Sequence, residues 1–201
     1  MNTKGQIIIL NGAPRSGKSS IARVIQDSFD GVWVNMGVDH YREMLPEHFQ
    51  PAIGLRPGGE RPDMEPLVAT LYQALYASIA AHSRLGLHVV ADVGHHDAYS
   101  ASLGILPRCA RILRGYPVLF VGVFCPIEVI MERRMATWAT PTKAGVPKPV
   151  RLWQHAVHAP GIYDLELDTS RANPEQCAAM IREYLEERKP MRAFRTLAER
   201  E

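Results

Sequence analysis

Cysteine is scarce in this chain, and so is any excess of charge. The three cysteines, Cys109, Cys125 and Cys177, form no CxxC pair, so the sequence indicates neither a disulfide framework nor a cysteine-ligated zinc site. The 23 basic and 21 acidic residues leave a net charge of +2. That balance excludes a strongly basic nucleic-acid-binding protein and a polybasic membrane-surface protein. A hydrophobic fraction of 46% in 201 residues is ordinary for one globular domain.

The chain also lacks a hydrophobic run of the kind that spans a bilayer. Residues 66–83 carry no formal charge and approach the length of a spanning helix. They contain Thr70, Gln73 and Ser78, however, and their large apolar side chains recur at helical spacing along one stripe. The N-terminus shows no signal peptide. We therefore expect a cytoplasmic protein with no membrane partner, and the sequence leaves homo-oligomer formation open.

Lysine is rare relative to arginine, at 5 residues against 18. Codon bias and a solvated surface would account for this ratio. Alternatively, some of the arginines bind phosphate, which suits the planar, five-donor guanidinium group. The position of one of the few lysines, described below, bears on that choice.

Apolar strand-like segments alternate with amphipathic helical segments along the whole chain, a pattern typical of an α/β fold. We predict one domain over residues 1–201, with a five-stranded parallel sheet between helices on both faces. Two proline-containing segments interrupt the pattern: a substrate-side loop at 46–63 and a flexible lid at about 134–156. The predicted strands are 6–11, 32–36, 87–92, 118–125 and 162–167, and the predicted helices are 18–29, 40–45, 64–85, 99–114, 127–136, 151–157 and 174–188, with a charged tail from 189 expected to fray.

The first predicted strand runs directly into a phosphate-binding loop. The segment fits G-x-x-x-x-G-K-[ST] between a strand and a helix, which is the context that the motif requires. Its glycines let backbone N–H groups approach phosphate oxygens, and the helix start adds its positive dipole end. Lys18 is expected to reach the β- and γ-phosphates and Ser19 to bind Mg²⁺, so ATP and Mg²⁺ are the expected co-substrate and cofactor. The predicted nucleotide-binding residues are Gly12, Ala13, Pro14, Arg15, Ser16, Gly17, Lys18 and Ser19.

Carboxylates follow the next two predicted strands. Asp39 comes after the second strand in the segment Met36-Gly37-Val38-Asp39. It is a candidate general base for a substrate hydroxyl, or else the N-cap of the following helical turn. Asp92 ends the third strand and is a candidate Mg²⁺ ligand, although any buried strand can end in aspartate. The residues 93–97, including His95 and His96, lie at the same predicted sheet edge and could contact substrate.

Three arginines and two hydroxyl residues complete the candidate site. Arg133 and Arg134 precede the predicted lid and Arg151 follows it; closure of a lid would bring a guanidinium group to the transferring phosphoryl group. A helix end that favours cations is the alternative interpretation. Thr169 and Ser170, after the last strand, are candidate contacts to adenine, with helix capping as the alternative.

In these features the sequence resembles the chloramphenicol phosphotransferase family of P-loop kinases. The resemblance rests on the phosphate loop, Gly37-Val38-Asp39, Phe120-Val121-Gly122-Val123 and the stretch from His158 to Ser170. It implies ATP-dependent phosphorylation of a hydroxyl, with Asp39 as the base, and it supports the lid interpretation of Arg133 and Arg134. The 46–63 and 138–149 segments and the Ala91-Asp92-Val93-Gly94 strand end depart from the family pattern. The resemblance therefore implies the class of reaction more strongly than it implies the identity of the acceptor.

The leading functional hypothesis is a small-molecule O-kinase acting on a hydroxylated substrate. A kinase for a nucleotide, a nucleotide sugar or a sugar acid is the second hypothesis. A nucleotide-dependent switch is the third, but no Asn-Lys-x-Asp tetrapeptide of the GTPase type occurs. Antibiotic resistance is one conceivable role of the leading hypothesis.

Overall fold

The computed structural model describes residues 3–138 and 146–200 of the chain. It contains parallel strands alternating with helices, as the hydrophobic periodicity predicts. The strands are β1 (Ile7–Asn11), β2 (Trp33–Asn35), β3 (His88–Val93), β4 (Val118–Phe124) and β5 (Leu165–Asp168). The helices are α1 (Lys18–Ser28), α2 (Val38–Glu43), α3 (Glu65–Arg84), α4 (Ile105–Ile112), α5 (Ile127–Trp138), α6 (Lys148–Ala156), α7 (Pro174–Glu186) and α8 (Ala193–Ala198).

The strands form one parallel sheet in the order β2-β3-β1-β4-β5. Alternation along β1 explains the layers: Ile7 and Ile9 pack into the core with α3, α4 and α8, whereas Ile8 and Leu10 pack with α1 and α7. Helices therefore cover both faces, which is why β1 is fully buried and its first four residues are apolar. The predicted three-layer α/β/α class with five parallel strands is confirmed.

The predicted helix over 99–114 is wrong in its first half, since α4 begins only at Ile105. Carboxylates organise the preceding loop instead. Asp97 accepts N–H donations from Leu103 and Gly104 at 2.8 and 3.1 Å, and buried Glu65 accepts one from Ser100 at 2.8 Å. Pro107 fits this later start, because it lies in the first turn of α4, where its missing N–H costs no helical hydrogen bond.

The charged tail does not fray as predicted. Its last described helix, α8, buries Phe194 and Leu197 against the sheet. The Phe194 ring lies 5.0 Å from that of Phe120 in a T-shaped arrangement. Asp164 receives the N–H groups of Arg192 and Ala193 at 2.7 and 2.9 Å and so ties the start of α8 to the sheet. Among the described residues, no helix is long and apolar enough to cross a membrane.

Candidate active site

A cleft of about 1200 Å³ runs along the carboxyl ends of the parallel strands. This is the edge where α/β sheets bind ligands. One end lies beside the exits of β2 and β3, and the other lies beside the loop between β5 and α7. The described residues that line it include Gly12, Ala13, Pro14, Arg15, Gly17, Lys18, Ser19, Asp39, Arg42, Arg56, Asp92, Val93, Gly94, Arg133, Arg134, Trp153, Thr169, Ser170 and Arg171.

The phosphate loop forms the floor of the cleft. Lys18 is the first residue of α1, and its Nζ donates to the Gly12 and Ala13 carbonyl oxygens at 2.8 and 2.9 Å. These bonds hold the ammonium group over the loop. Burial lowers the pKa of Lys18, while the charges of Asp92 and Asp39 oppose that shift. The first N–H groups of α1 have no partner within the helix, which makes this floor suited to an anion.

One predicted loop residue, Ser16, does not line the cleft. It is fully buried, and its carbonyl accepts the Thr169 hydroxyl at 2.7 Å. Arg133 donates to the Thr169 hydroxyl and carbonyl oxygens at 3.1 and 2.7 Å, and to the Arg15 carbonyl at 3.3 Å. The phosphate loop, α5 and the β5–α7 loop are therefore joined by hydrogen bonds around Thr169.

Ser19 and Asp92 meet at the base of the cleft. The Ser19 hydroxyl donates to Asp92 Oδ2 at 2.6 Å. The Asp92 carboxylate also lies against Gly37, where an added Cβ would stand 1.6 Å from Oδ1. Only glycine at position 37 allows this approach. A hydroxyl beside a carboxylate is a set of hard oxygen donors that fits Mg²⁺.

Asp39 is the second residue of α2, a helix that begins two residues earlier than predicted. Gly37 is the N-cap of α2 and no side chain caps the helix, so the prediction of Asp39 as N-cap is wrong. Its side chain is 70% exposed and pairs with Arg42 at 3.5 Å. The carboxylate is thereby available at the β2 end of the cleft, in the electrostatic range of Lys18.

Both arginines near the end of α5, Arg133 and Arg134, line the cleft, whereas Arg151 on α6 is exposed and does not. Helix α5 ends two residues later than predicted and α6 begins three residues earlier. Apolar side chains of the two helices, including Ile130 and Trp153, pack in one cluster. The predicted lid at 134–156 includes residues 139–145, which lie outside the described residues.

At the other end of the cleft, capping does not explain Thr169 and Ser170. The N-cap of α7 is Asn173, which forms a capping box with Gln176. Thr169 is buried and uses its hydroxyl within the protein, whereas exposed Ser170 donates its hydroxyl to Asp168 at 2.6 Å. Both residues line the cleft. That they border adenine stays a prediction.

His95 and His96, predicted as possible substrate contacts, lie behind the cleft wall. His95 is fully surrounded and its Nε2 is 2.8 Å from the Tyr76 hydroxyl. Burial, reinforced by His96, lowers the pKa of His95 to about 3. Asn11 links this region to the phosphate-loop strand: its Oδ1 accepts the His95 N–H at 2.7 Å, and its Nδ2 donates to the Tyr163 hydroxyl at 2.9 Å.

The lining residues that sequence reasoning missed include Arg42, Arg56 and Trp153. Arg42 was open to prediction, because it lies three residues after Asp39 and thus on the same helical face. Arg56 and Trp153 carry no such signal, since only the tertiary structure brings the loop and α6 to the sheet edge. Among the described residues, no group of three or more His, Cys, Asp or Glu side chains is arranged around a metal position.

Residues 5–186 match the family model described as chloramphenicol phosphotransferase-like protein. The chain belongs to this family. Two Mycobacterium tuberculosis proteins, named as candidate O-phosphotransferases, are each 26% identical to it over 196 residues, which is 90% of this chain and 82% of theirs. The family match therefore spans the phosphate loop, both candidate carboxylates and the β5–α7 loop.

Solved structures of kinases share the fold of this family member. A sugar kinase from Janibacter superposes with a TM-score of 0.61 at 19% identity, covering 90% of this chain and 95% of its own. The Mycobacterium tuberculosis APS kinase in complex with AMPPNP and APS gives 0.63 at 17% identity, covering 91% and 98%. At these identities the likeness concerns the fold.

Proposed function

We propose that this protein is an ATP-dependent kinase that phosphorylates a hydroxyl group of a small molecule. The observation that carries the proposal is the exposed Asp39 carboxylate, which shares one cleft with Lys18 and takes no part in capping α2. A phosphate loop alone accounts for nucleotide binding. An exposed carboxylate at the end of the cleft away from the β5–α7 loop adds a group that can receive a proton from an acceptor.

In the proposed reaction, the acceptor hydroxyl oxygen attacks the γ-phosphorus while its proton passes to Asp39. The bond from the γ-phosphorus to the β–γ bridging oxygen breaks, and ADP leaves. Lys18 and the guanidinium groups of Arg133 and Arg134 stabilise negative charge on the phosphoryl oxygens. Ser19 and Asp92 would hold Mg²⁺, which neutralises phosphate charge when bound. Thr169 and Ser170 border the nucleotide base.

The test is a screen for ADP release against hydroxylated antibiotics, nucleosides, sugars and sugar acids, with product masses checked for one added phosphoryl group. Lys18→Ala should abolish turnover, because the γ-phosphate loses its lysine. Asp39→Asn should keep AMPPNP affinity but slow transfer by about 10²–10⁴-fold. Glu43→Gln is the matched control: it makes the same acid-to-amide change on α2 at an exposed residue outside the cleft lining.

Two outcomes would contradict the proposal. Tight AMPPNP binding with no phosphorylated product from any compound would favour the nucleotide-dependent switch. A parallel loss of AMPPNP affinity and transfer in Asp39→Asn would make Asp39 a structural residue.

A further inference from the structure

The cleft carries more positive charge than a nucleotide site alone accounts for. Seven of its described lining residues have a basic side chain, and two, Asp39 and Asp92, have a carboxylate. Most of the basic groups surround the phosphate loop or the β5–α7 end. Arg42 and Arg56 do not: they lie at the β2 end with Asp39, where the acceptor of the proposed reaction binds.

Neither of these two arginines is fully neutralised by its surroundings. Arg42 has one long ion pair, 3.5 Å to Asp39, and its buried Nε donates to none of the described residues. The exposed Arg56 side chain makes no hydrogen bond or ion pair within 3–138 or 146–200. Two arginines and one aspartate thus line this end of the cleft. The Arg42 side chain is 43% exposed as a whole, so its outer guanidinium N–H groups, like those of Arg56, can bind an anion from the cleft.

Arg56 is also held in position through its neighbours in the chain. Gly54 packs on Val38 at the start of α2, where an added Cβ would meet Val38 Cγ1 at 3.2 Å. The Leu55 carbonyl accepts the Nε2–H of buried His96 at 2.8 Å. Two residues after Arg56, the Gly58 N–H donates to the Ala98 carbonyl at 2.7 Å. This part of the substrate-side loop is thus anchored on both sides of Arg56.

The tautomer of His96 follows from its two hydrogen bonds. Its Nδ1 accepts the Ala98 N–H at 3.2 Å, so the proton lies on Nε2, which faces the Leu55 carbonyl. Burial lowers the pKa of His96, which keeps this neutral form. The Trp153 ring of α6 packs edge-on against it at 4.9 Å. His96 is therefore a positioning residue for the loop that carries Arg56, and the arginine backbone needs little ordering when a ligand binds.

We propose that the acceptor carries an anionic group (a phosphate, a sulfate or a carboxylate) that binds Arg56 and Arg42 while its hydroxyl faces Asp39. Guanidinium groups suit such oxyanions because they present paired N–H donors in one plane. With an uncharged acceptor, Arg42 would keep only its 3.5 Å pair with Asp39, and Arg56 would gain no counter-charge. The proposal rests on the kinase function proposed above and narrows its substrate class.

A binding experiment tests the anion site without any turnover. The wild type, saturated with Mg²⁺ and AMPPNP so that the phosphate loop is filled, is titrated with sodium sulfate at constant ionic strength by isothermal calorimetry. We expect saturable sulfate binding that Arg56→Gln weakens about tenfold or more, the scale of one charge-assisted contact. Arg61→Gln is the matched control, since Arg61 lies in the same loop but pairs with Asp63 in solvent at 2.8 Å; it should bind sulfate as the wild type does.

A turnover experiment then separates this proposal from the kinase proposal. Neutral and anionic pairs, such as glucose with gluconate and ribose with ribose 5-phosphate, are compared by kcat/KM. The anionic member should be preferred, and Arg56→Gln should remove the preference by raising KM. Absence of sulfate binding, equal binding in Arg56→Gln, or preference for neutral members would overturn the anionic acceptor. Sulfate binding through Arg56 with no phosphorylated product would instead overturn the kinase function.

Discussion

The contact between Gly37 and Asp92 allows the proposed magnesium site to be tested without replacing Ser19 or Asp92. A Cβ at position 37 would lie 1.6 Å from Asp92 Oδ1, so an ordinary contact of 3.4 Å requires a displacement of about 1.8 Å. The backbone at Gly37, with φ −62° and ψ 160°, suits any residue. Gly37→Ala therefore adds a collision without backbone strain. Since functional side chains must be held within about 0.5 Å of their working position, this shift should move the Asp92 carboxylate away from Ser19 and out of reach of a shared Mg²⁺.

We expect Gly37→Ala to weaken Mg²⁺ affinity by about 10–100-fold, the usual cost of disturbing a metal-site support. The assay is a Mg²⁺ titration of AMPPNP binding by calorimetry, with circular dichroism to confirm the fold. Gly115→Ala is the control: its φ of 80° is unfavourable for alanine, but an added Cβ meets nothing within 4 Å. That variant should lose some stability and keep its Mg²⁺ affinity. Unchanged Mg²⁺ affinity in Gly37→Ala would refute the assignment of Asp92.

Three further predictions concern stability. Phe194→Ala should lower the free energy of unfolding by about 3–5 kcal/mol in urea, because it leaves a cavity against Phe120; a loss below about 1 kcal/mol would mean that α8 is not packed as described. Thr169→Val should cost about 1–3 kcal/mol and weaken AMPPNP binding, because the Ser16 carbonyl and Arg133 lose a partner; unaltered binding would contradict its linking role. Since the pKa of His95 falls to about 3 on folding, the unfolded chain binds more protons below pH 6.5. Stability should therefore decline as pH falls from 6.5 towards 3, by about 1.4 kcal/mol per unit for this group, and His95→Gln should flatten that slope in urea titrations at each pH.

Local patterns predicted the fold and the floor of the cleft. The buried strands are continuous apolar runs in the sequence. The phosphate loop at 12–19 directly follows β1 and leads into α1. Such features depend on neighbouring residues alone, so their geometry follows from sequence order. The same holds for Asp92 at the end of a buried strand.

Side-chain competition explains the errors. The predicted helix includes residues 99–104, but the Asp97 and Glu65 carboxylates take up backbone N–H groups there. The tail was predicted to fray because its charges are frequent, yet Phe194 and Leu197 pack one face of α8 into the core. Local propensity is a weak guide where a distant partner offers burial or a hydrogen bond.

By itself, then, the sequence determined the α/β class, the phosphate loop, Asp39 after β2 and Asp92 near the end of β3, because each depends on residues adjacent in the chain. The tertiary structure alone decided which groups share the cleft. In that structure Asp39 does not cap a helix, and His95 and His96 are buried behind the cleft wall. Arg56 lies at the end of the cleft that holds Asp39. Those outcomes depend on contacts between segments far apart in the chain, such as His96 with Leu55 and Asn11 with His95, which are 41 and 84 residues apart and which no local pattern encodes.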